Sequence, residues 1–195
     1  MKKFFTFGEN YDLTKDFTYV YSPAARSHTG FDVEENCVVN RKNTALDGQE
    51  YPYDYVSIVT KKTCKTGVVV KTDCSFEDFG APLIVLSGDI KKVNGENYYG
   101  EHFEVVAYED GINVWHIVPS EEAGNVVPTL IAEAHFPVAA GQAVTLTVGV
   151  NGKTLYAEML GRKLSVSHDR LPETFQIGIT ACENVNRFYN FVIEE

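Results

Sequence analysis

No stretch of this sequence is apolar for long enough to cross a bilayer as a helix, and none sustains the period of a capped amphipathic helix. Glycine-rich phosphate loops and GxSxG nucleophile elbows are also missing. These absences remove helical membrane proteins, helix bundles, P-loop nucleotide binders and α/β-hydrolases. Cations are scarce too: 17 Lys and Arg stand against 27 Asp and Glu, a net charge of −10. Binding to nucleic acid or to an anionic membrane needs the opposite balance, so neither partner is expected. Cys37, Cys64, Cys74 and Cys182 form no CxxC pair and none has a histidine at zinc-site spacing. They read as free thiols, with Cys74 in alternating register with Val70, Thr72 and Phe76 and so a small core residue. His28, His102, His135 and His168 are scattered without the spacing of a metal triad. The apolar patch of the first residues stops at Gly8-Glu9-Asn10, too short for a secretory leader. The expectation is a protein that stays in the cell, or a mature or excised segment of a secreted one.

What is present is alternation. Period-two runs recur from Phe17–Tyr21 to Phe188–Ile193, separated by Gly, Asn, Asp and Pro, and the Ser120–Val127 loop has room for one turn of helix. About a dozen short strands with turn chemistry between them describe an all-β, two-sheet antiparallel sandwich or jelly roll. No repeat or linker divides the chain, so residues 1–195 are read as a single β-sandwich domain.

Two turn signals set registers. A loop at Asn151-Gly152 pairs Val148 with Leu155, Leu146 with Ala157 and Val144 with Met159, all apolar. A loop at Asp110-Gly111 pairs Tyr108 with Asn113 and Val106 with the only tryptophan, Trp115. One face of that hairpin is then Phe103, Val105, Ala107, Val114, His116 and Val118, which reads as core, with His116 a satisfied core histidine. The other face carries Glu104, Val106, Tyr108, Asn113, Trp115 and Ile117. An indole and a phenol beside an amide and a carboxylate suit a sugar, whose ring offers C–H patches on one side and hydroxyls at its rim. Trp115, Tyr108, Asn113 and Glu104 are therefore the candidate ligand-binding residues, and an oligo- or polysaccharide the candidate partner. Trp115 and Tyr108 covered by a loop, with no ligand, remain the alternative. Tyr51, Tyr53 and Tyr55 alternate on one face, as an edge or groove wall. Asp73, Glu77 and Asp78 are candidate ligands of a structural calcium ion; solvated loop acids are the simpler account.

Three stretches, FEDFGAPLIVLSGDI (76–90), HFEVVAYEDGINVWHIV (102–118) and GITACENVNRFYNFVIEE (178–195), together resemble bacterial members of the concanavalin-A-like lectin/glucanase superfamily, the laminin-G-like jelly rolls. The resemblance implies two antiparallel sheets, one of them concave, with glycans bound or hydrolysed in the concave groove. Its hydrolases carry two or three carboxylates at alternate positions of one strand, as ExDxE or ExDxxE, which places nucleophile and acid on one face. Here Glu104 is followed by Val106 and Tyr108, and Glu101 falls on the opposite face. No paired carboxylates are found. The expectation is a non-catalytic, lectin-like carbohydrate-binding domain without a catalytic residue or cofactor. A structural or protein-interaction sandwich, and a divergent glycoside hydrolase pairing Glu104 with Glu158, are the alternatives.

Overall fold

The computed structural model describes residues 2–25, 29–40, 55–121 and 124–195. Val68–Phe76 buries alternate side chains along most of its length, as its VVVKTDCSF pattern requires, and it centres a nine-stranded sheet. On one side of it lie Val144–Asn151, Thr154–Met159 and Arg162–Ser167 in that order. On the other side it bonds both Asn186–Phe188 and Asn190–Glu194. Val38–Asn40 and Phe31–Val33 extend the sheet from the first of these, and Lys2–Thr6 pairs with the second. The eight-stranded sheet runs Val126–His135, Gly111–Pro119, His102–Tyr108, Ala81–Ser87, Thr174–Cys182, Tyr55–Thr60 and Phe17–Tyr19, with Cys64–Lys65 added to the end of Thr174–Cys182. A two-stranded ribbon, Ile90–Val93 with Glu96–Tyr99, stands apart from both.

Between the sheets lies one core that includes Phe76, Leu146, Leu155, Phe103, Val114, Ile179, Phe188 and Phe191. Each such side chain contributes roughly 1.5–3 kcal/mol by leaving water. The outer face of the eight-stranded sheet is covered as well. Val20, Val59, Leu83, Val85, Tyr99 and Val106 form a second buried cluster there, under the ribbon and the residues just after Phe17–Tyr19. The four cysteines are free thiols and Cys74 is fully buried in the core.

Both hairpins keep the expected faces but not the expected pairing. Glu104 opposes Trp115 and Tyr108 opposes Gly111, so the loop is Glu109-Asp110. Val148 opposes Ala157 and Asn151 opposes Thr154, so the other loop is Gly152-Lys153. A type I′ turn at 110–111 or at 151–152 needs positive φ at both central residues, and there only the glycines have it, Gly111 at 129° and Gly152 at 58°. Each turn therefore moves by one residue and each pairing by two, which preserves the side of every side chain. Elsewhere the expected Leu130–Phe136 strand is Val126–His135, and Phe188–Ile193 is broken at Tyr189 into two strands. The one helix among the described residues is Leu13–Asp16, capped by Asp12. Tyr51 and Tyr53 lie outside the described residues.

Asp73, Glu77 and Asp78 do not converge. Asp73 accepts from Thr145 and Asn190, Glu77 pairs with Arg187 at 2.6 Å, and Asp78 accepts from Asn184. Among the described residues no three His, Cys, Asp or Glu side chains are grouped to hold a metal ion.

His116 lies at the rim of the core, stacked on Phe103 with ring centroids 4.7 Å apart. Its Nε2 donates to Glu101 at 2.7 Å, and Glu101 also takes a fork of bonds from Arg170. His168 packs edge-on against Phe103, and its Nδ1 accepts from the Arg170 N–H, which an imidazolium cannot do. Burial, then His116, holds His168 below its usual 6.5. Bonds to Arg170 hold Glu101 below the usual 4.5. Both groups thus favour the fold when unprotonated, while the unfolded chain takes up protons first as pH falls. Stability is expected to decline below about 6.5 through His168, and again below about 4.5 through Glu101. His135, raised by its bond to Asp110, acts in the opposite direction, but its pairs are exposed and screened. Urea midpoints between about pH 8 and 4 test this. His168→Asn should flatten the upper step, and an unchanged profile would contradict the assignment.

Candidate functional site

The outer face of the His102–Tyr108 and Gly111–Pro119 hairpin is where the four candidate residues meet. Alternation brings Glu104, Val106 and Tyr108 up from one strand and Asn113, Trp115 and Ile117 from the other, and all six line one groove of about 460 Å³. Val126 and Pro128 of the neighbouring edge strand line the same groove, as do Ser22, Tyr55, Cys182 and Glu183. Among the described lining residues there is no lysine or arginine.

Trp115 is half-buried against the second cluster, and its Nε1–H donates to Asn113 Oδ1 at 2.8 Å. The two residues are i and i+2 on one strand, so the bond fixes the indole and leaves the Asn113 NH₂ for a ligand. Tyr108 stands at the outer end, with its hydroxyl 3.4 Å from His135 Nδ1. Burial and then Asp110 raise its phenol above the ordinary value, so it remains a donor.

Glu104 is the most constrained of the four, at 8% exposure. Tyr55 donates to its Oε1 at 2.5 Å, and burial, then the Glu104 carboxylate, pushes that phenol far above its usual range. His102 Nε2 lies 3.3 Å from the same oxygen. The other ring nitrogen, Nδ1, is 2.8 Å from the Gly100 carbonyl oxygen, which only accepts, so Nδ1 carries a proton. Oε2 has no partner among the described residues and retains solvent contact, which turns it toward the groove.

Below this floor the network continues. Tyr99 stacks on His102 with centroids 4.6 Å apart, and Ser57 bonds both the Tyr99 and Thr180 hydroxyls at 2.6 Å. Neither His102 nor the Tyr99 network was expected, because a bond across 49 residues, such as Tyr55 to Glu104, leaves no local pattern. Glu183 was not expected either. It sits at φ 64°, and burial, then Glu109, raises its carboxyl above the ordinary value. Glu158 is on the outer face of the other sheet, ion-paired with Lys163 at 3.3 Å, so no Glu104–Glu158 pair forms.

No protein-family model and no curated protein matches this sequence. Solved structures do. Carbohydrate-binding module CBM66 from Bacillus subtilis superposes with a TM-score of 0.64 at 14% identity, over 92% of this chain and 96% of that one. A Bacillus licheniformis β-glucanase gives 0.63 at 9% identity, over 100% and 98%. β-Agarase A in complex with oligoagarose gives 0.66 at 10% identity, over 92% and 83%. The fold is a concanavalin-A-like jelly roll. At these identities the likeness is one of backbone, and the chemistry of the groove rests on its own residues. In this jelly roll the strand that carries Glu104 presents Val106 and Tyr108 at the next two outward positions.

Proposed function

We propose that the groove binds an uncharged glycan without cleaving it. The observation that carries this reading is the joint presentation of Trp115, the Asn113 amide, the Tyr108 hydroxyl and Glu104 Oε2 in one groove. The indole offers an apolar platform for a sugar's C–H face, and the three polar groups meet hydroxyls at its rim. The lack of lysine or arginine among the described lining residues, with Glu183 at the edge, disfavours uronate and sulfated chains. Similar jelly rolls include a carbohydrate-binding module and an agarase in complex with oligoagarose.

Cleavage would need a second carboxyl within about 5–9.5 Å of the first. Glu104 shares a cross-strand row with Val85 and Gly178, and Glu183 is five residues beyond Gly178. That offset is roughly 16 Å along the strands, which supports binding over hydrolysis.

Trp115→Ala is expected to weaken binding about tenfold or more, since stacking is worth on the order of 1 kcal/mol beyond the buried area. Calorimetry against soluble β-glucan, agarose oligosaccharides, alginate and sulfated galactan is the test. Equal binding by wild type and variant would remove the proposal, and a preference for the anionic chains would remove its charge argument.

A further inference from the structure

A second cleft, of about 510 Å³, opens between the Lys2–Thr6 strand, the Leu13–Asp16 helix and the loop that follows Tyr55–Thr60. It shares no lining residue with the groove. Its charge is the reverse of the chain's. Lys3, Lys15, Lys61 and Lys62 line it against two acids, Asp16 and Glu195, in a protein of net charge −10.

The fold places these lysines. Strand alternation puts Lys3 on the side of Phe5, whose ring packs on Phe17 at 5.0 Å, so Lys3 faces the opposite sheet. Lys2 points the other way and pairs with Glu194 at 2.8 Å. Lys3, Lys15 and Lys62 make no ion pair among the described residues. The loop that carries Lys61 and Lys62 is held by hydrogen bonds. Lys61 N–H donates to the Asp16 carbonyl and Lys61 Nζ to the Thr14 carbonyl. The Thr60 hydroxyl donates to the Lys62 carbonyl at 2.7 Å, and Gln176 Nε2 to the Thr60 carbonyl at 2.7 Å. An ammonium has three donors, so Lys61 keeps two for a ligand. Both acids are already engaged in the wall. Asp16 accepts from the Tyr11 hydroxyl at 3.0 Å, and Glu195 stands beside Cys64, whose thiol burial and then Glu195 push up to about 11. Cations gathered on a fixed rim repel one another, and a bound anion relieves that repulsion.

We infer that this cleft is a second binding site, for a small molecule that carries a phosphate or sulfate group. It is independent of the groove and stands whether or not the groove takes a sugar. Ammonium groups are compact point charges that can surround a tetrahedral oxyanion from several sides. A carboxylate is matched best by the planar fork of a guanidinium, and no arginine lines the cleft. Phe5, Tyr11 and Ile193 offer apolar surface to the body of the molecule. The volume is that of a small-molecule site. Long polyanions are disfavoured, because the net charge of −10 repels whatever part of them extends beyond the cleft.

Calorimetry at low salt with inorganic phosphate, pyrophosphate and sulfate is the test, with acetate as the carboxylate control. One saturable site is expected, tighter for these anions than for acetate and weakened as salt rises. Lys3→Gln, Lys15→Gln and Lys62→Gln should each weaken binding about two- to fivefold, the usual worth of one exposed ion pair, and the triple variant should abolish it. Their urea midpoints should match wild type, since none of the three gives up an ion pair. Lys163→Gln, outside the cleft, and Trp115→Ala, in the groove, should bind the anions as wild type does. The tighter of phosphate and sulfate names the group. Absence of saturable binding, acetate bound as tightly, or a triple variant that binds as well as wild type would overturn the inference and leave the reading of the groove standing.

Discussion

Alanine at Gly178 is expected to cost about 3 kcal/mol of stability, at the upper end of the range for an overpacked interior. Gly178 pairs with Val59 on one side and Val85 on the other, in the middle of the eight-stranded sheet. An added Cβ would fall 1.8 Å from the Ile58 carbonyl oxygen and 2.6 Å from the Val59 Cα. Both are backbone atoms, so no rotamer change relieves the clash and the strands must part. The same strand positions Cys182 beside the groove and Thr180 beneath Tyr99, so binding should fail with the fold. A urea midpoint within error of wild type would show that the strand shifts without cost. Alanine at Gly149 is a useful contrast, because there the added atom meets the Tyr156 ring, a side chain able to rotate away.

Glu104→Leu is expected to cost a similar amount, about 3 kcal/mol, by a different route. It leaves the Tyr55 hydroxyl and His102 Nε2 without their shared acceptor, and each orphaned buried polar group costs roughly 1–3 kcal/mol. Glu104→Gln retains an oxygen for Tyr55 and should cost less than the leucine. The glutamine should still bind sugar less tightly, because a charge-assisted acceptor is roughly twice as strong as a neutral one. Comparing the two variants by denaturation and by calorimetry separates the structural part of Glu104 from its ligand part. A leucine protein as stable as wild type would mean that the Tyr55–His102 network does not hold the fold.

The faces of the Phe103–Val118 region were legible because side-chain alternation has a period of two and survives a two-residue change of pairing. Trp115, Tyr108, Asn113 and Glu104 therefore fall in one groove although the pairing of Val106 with Trp115 was not found. The turn itself was less legible. Asp-Gly and Asn-Gly predict type I′ loops at 110–111 and 151–152, but the strands on either side set other loops. Asn94-Gly95 does take positive φ at both residues, 52° and 93°, and joins the two strands of the ribbon that covers the second buried cluster. That signal was available in the sequence and would have located the ribbon. What no local pattern contains is the place where a ribbon docks. Tyr99 finds Ser57 and Thr180 across 42 residues and more, and Glu183 reaches the groove from the far end of another strand.

The indole in the groove has an optical consequence. Trp115 is the only tryptophan in 195 residues, so excitation at the red edge of the aromatic band, where tyrosine is silent, reads the groove. Its Nε1–H is already engaged by Asn113, so a sugar settling on the ring changes its exposure to water more than its hydrogen bonding. The protein thus carries its own fluorophore at the place where the ligand is proposed to land, and occupancy can be followed in the native chain without a label.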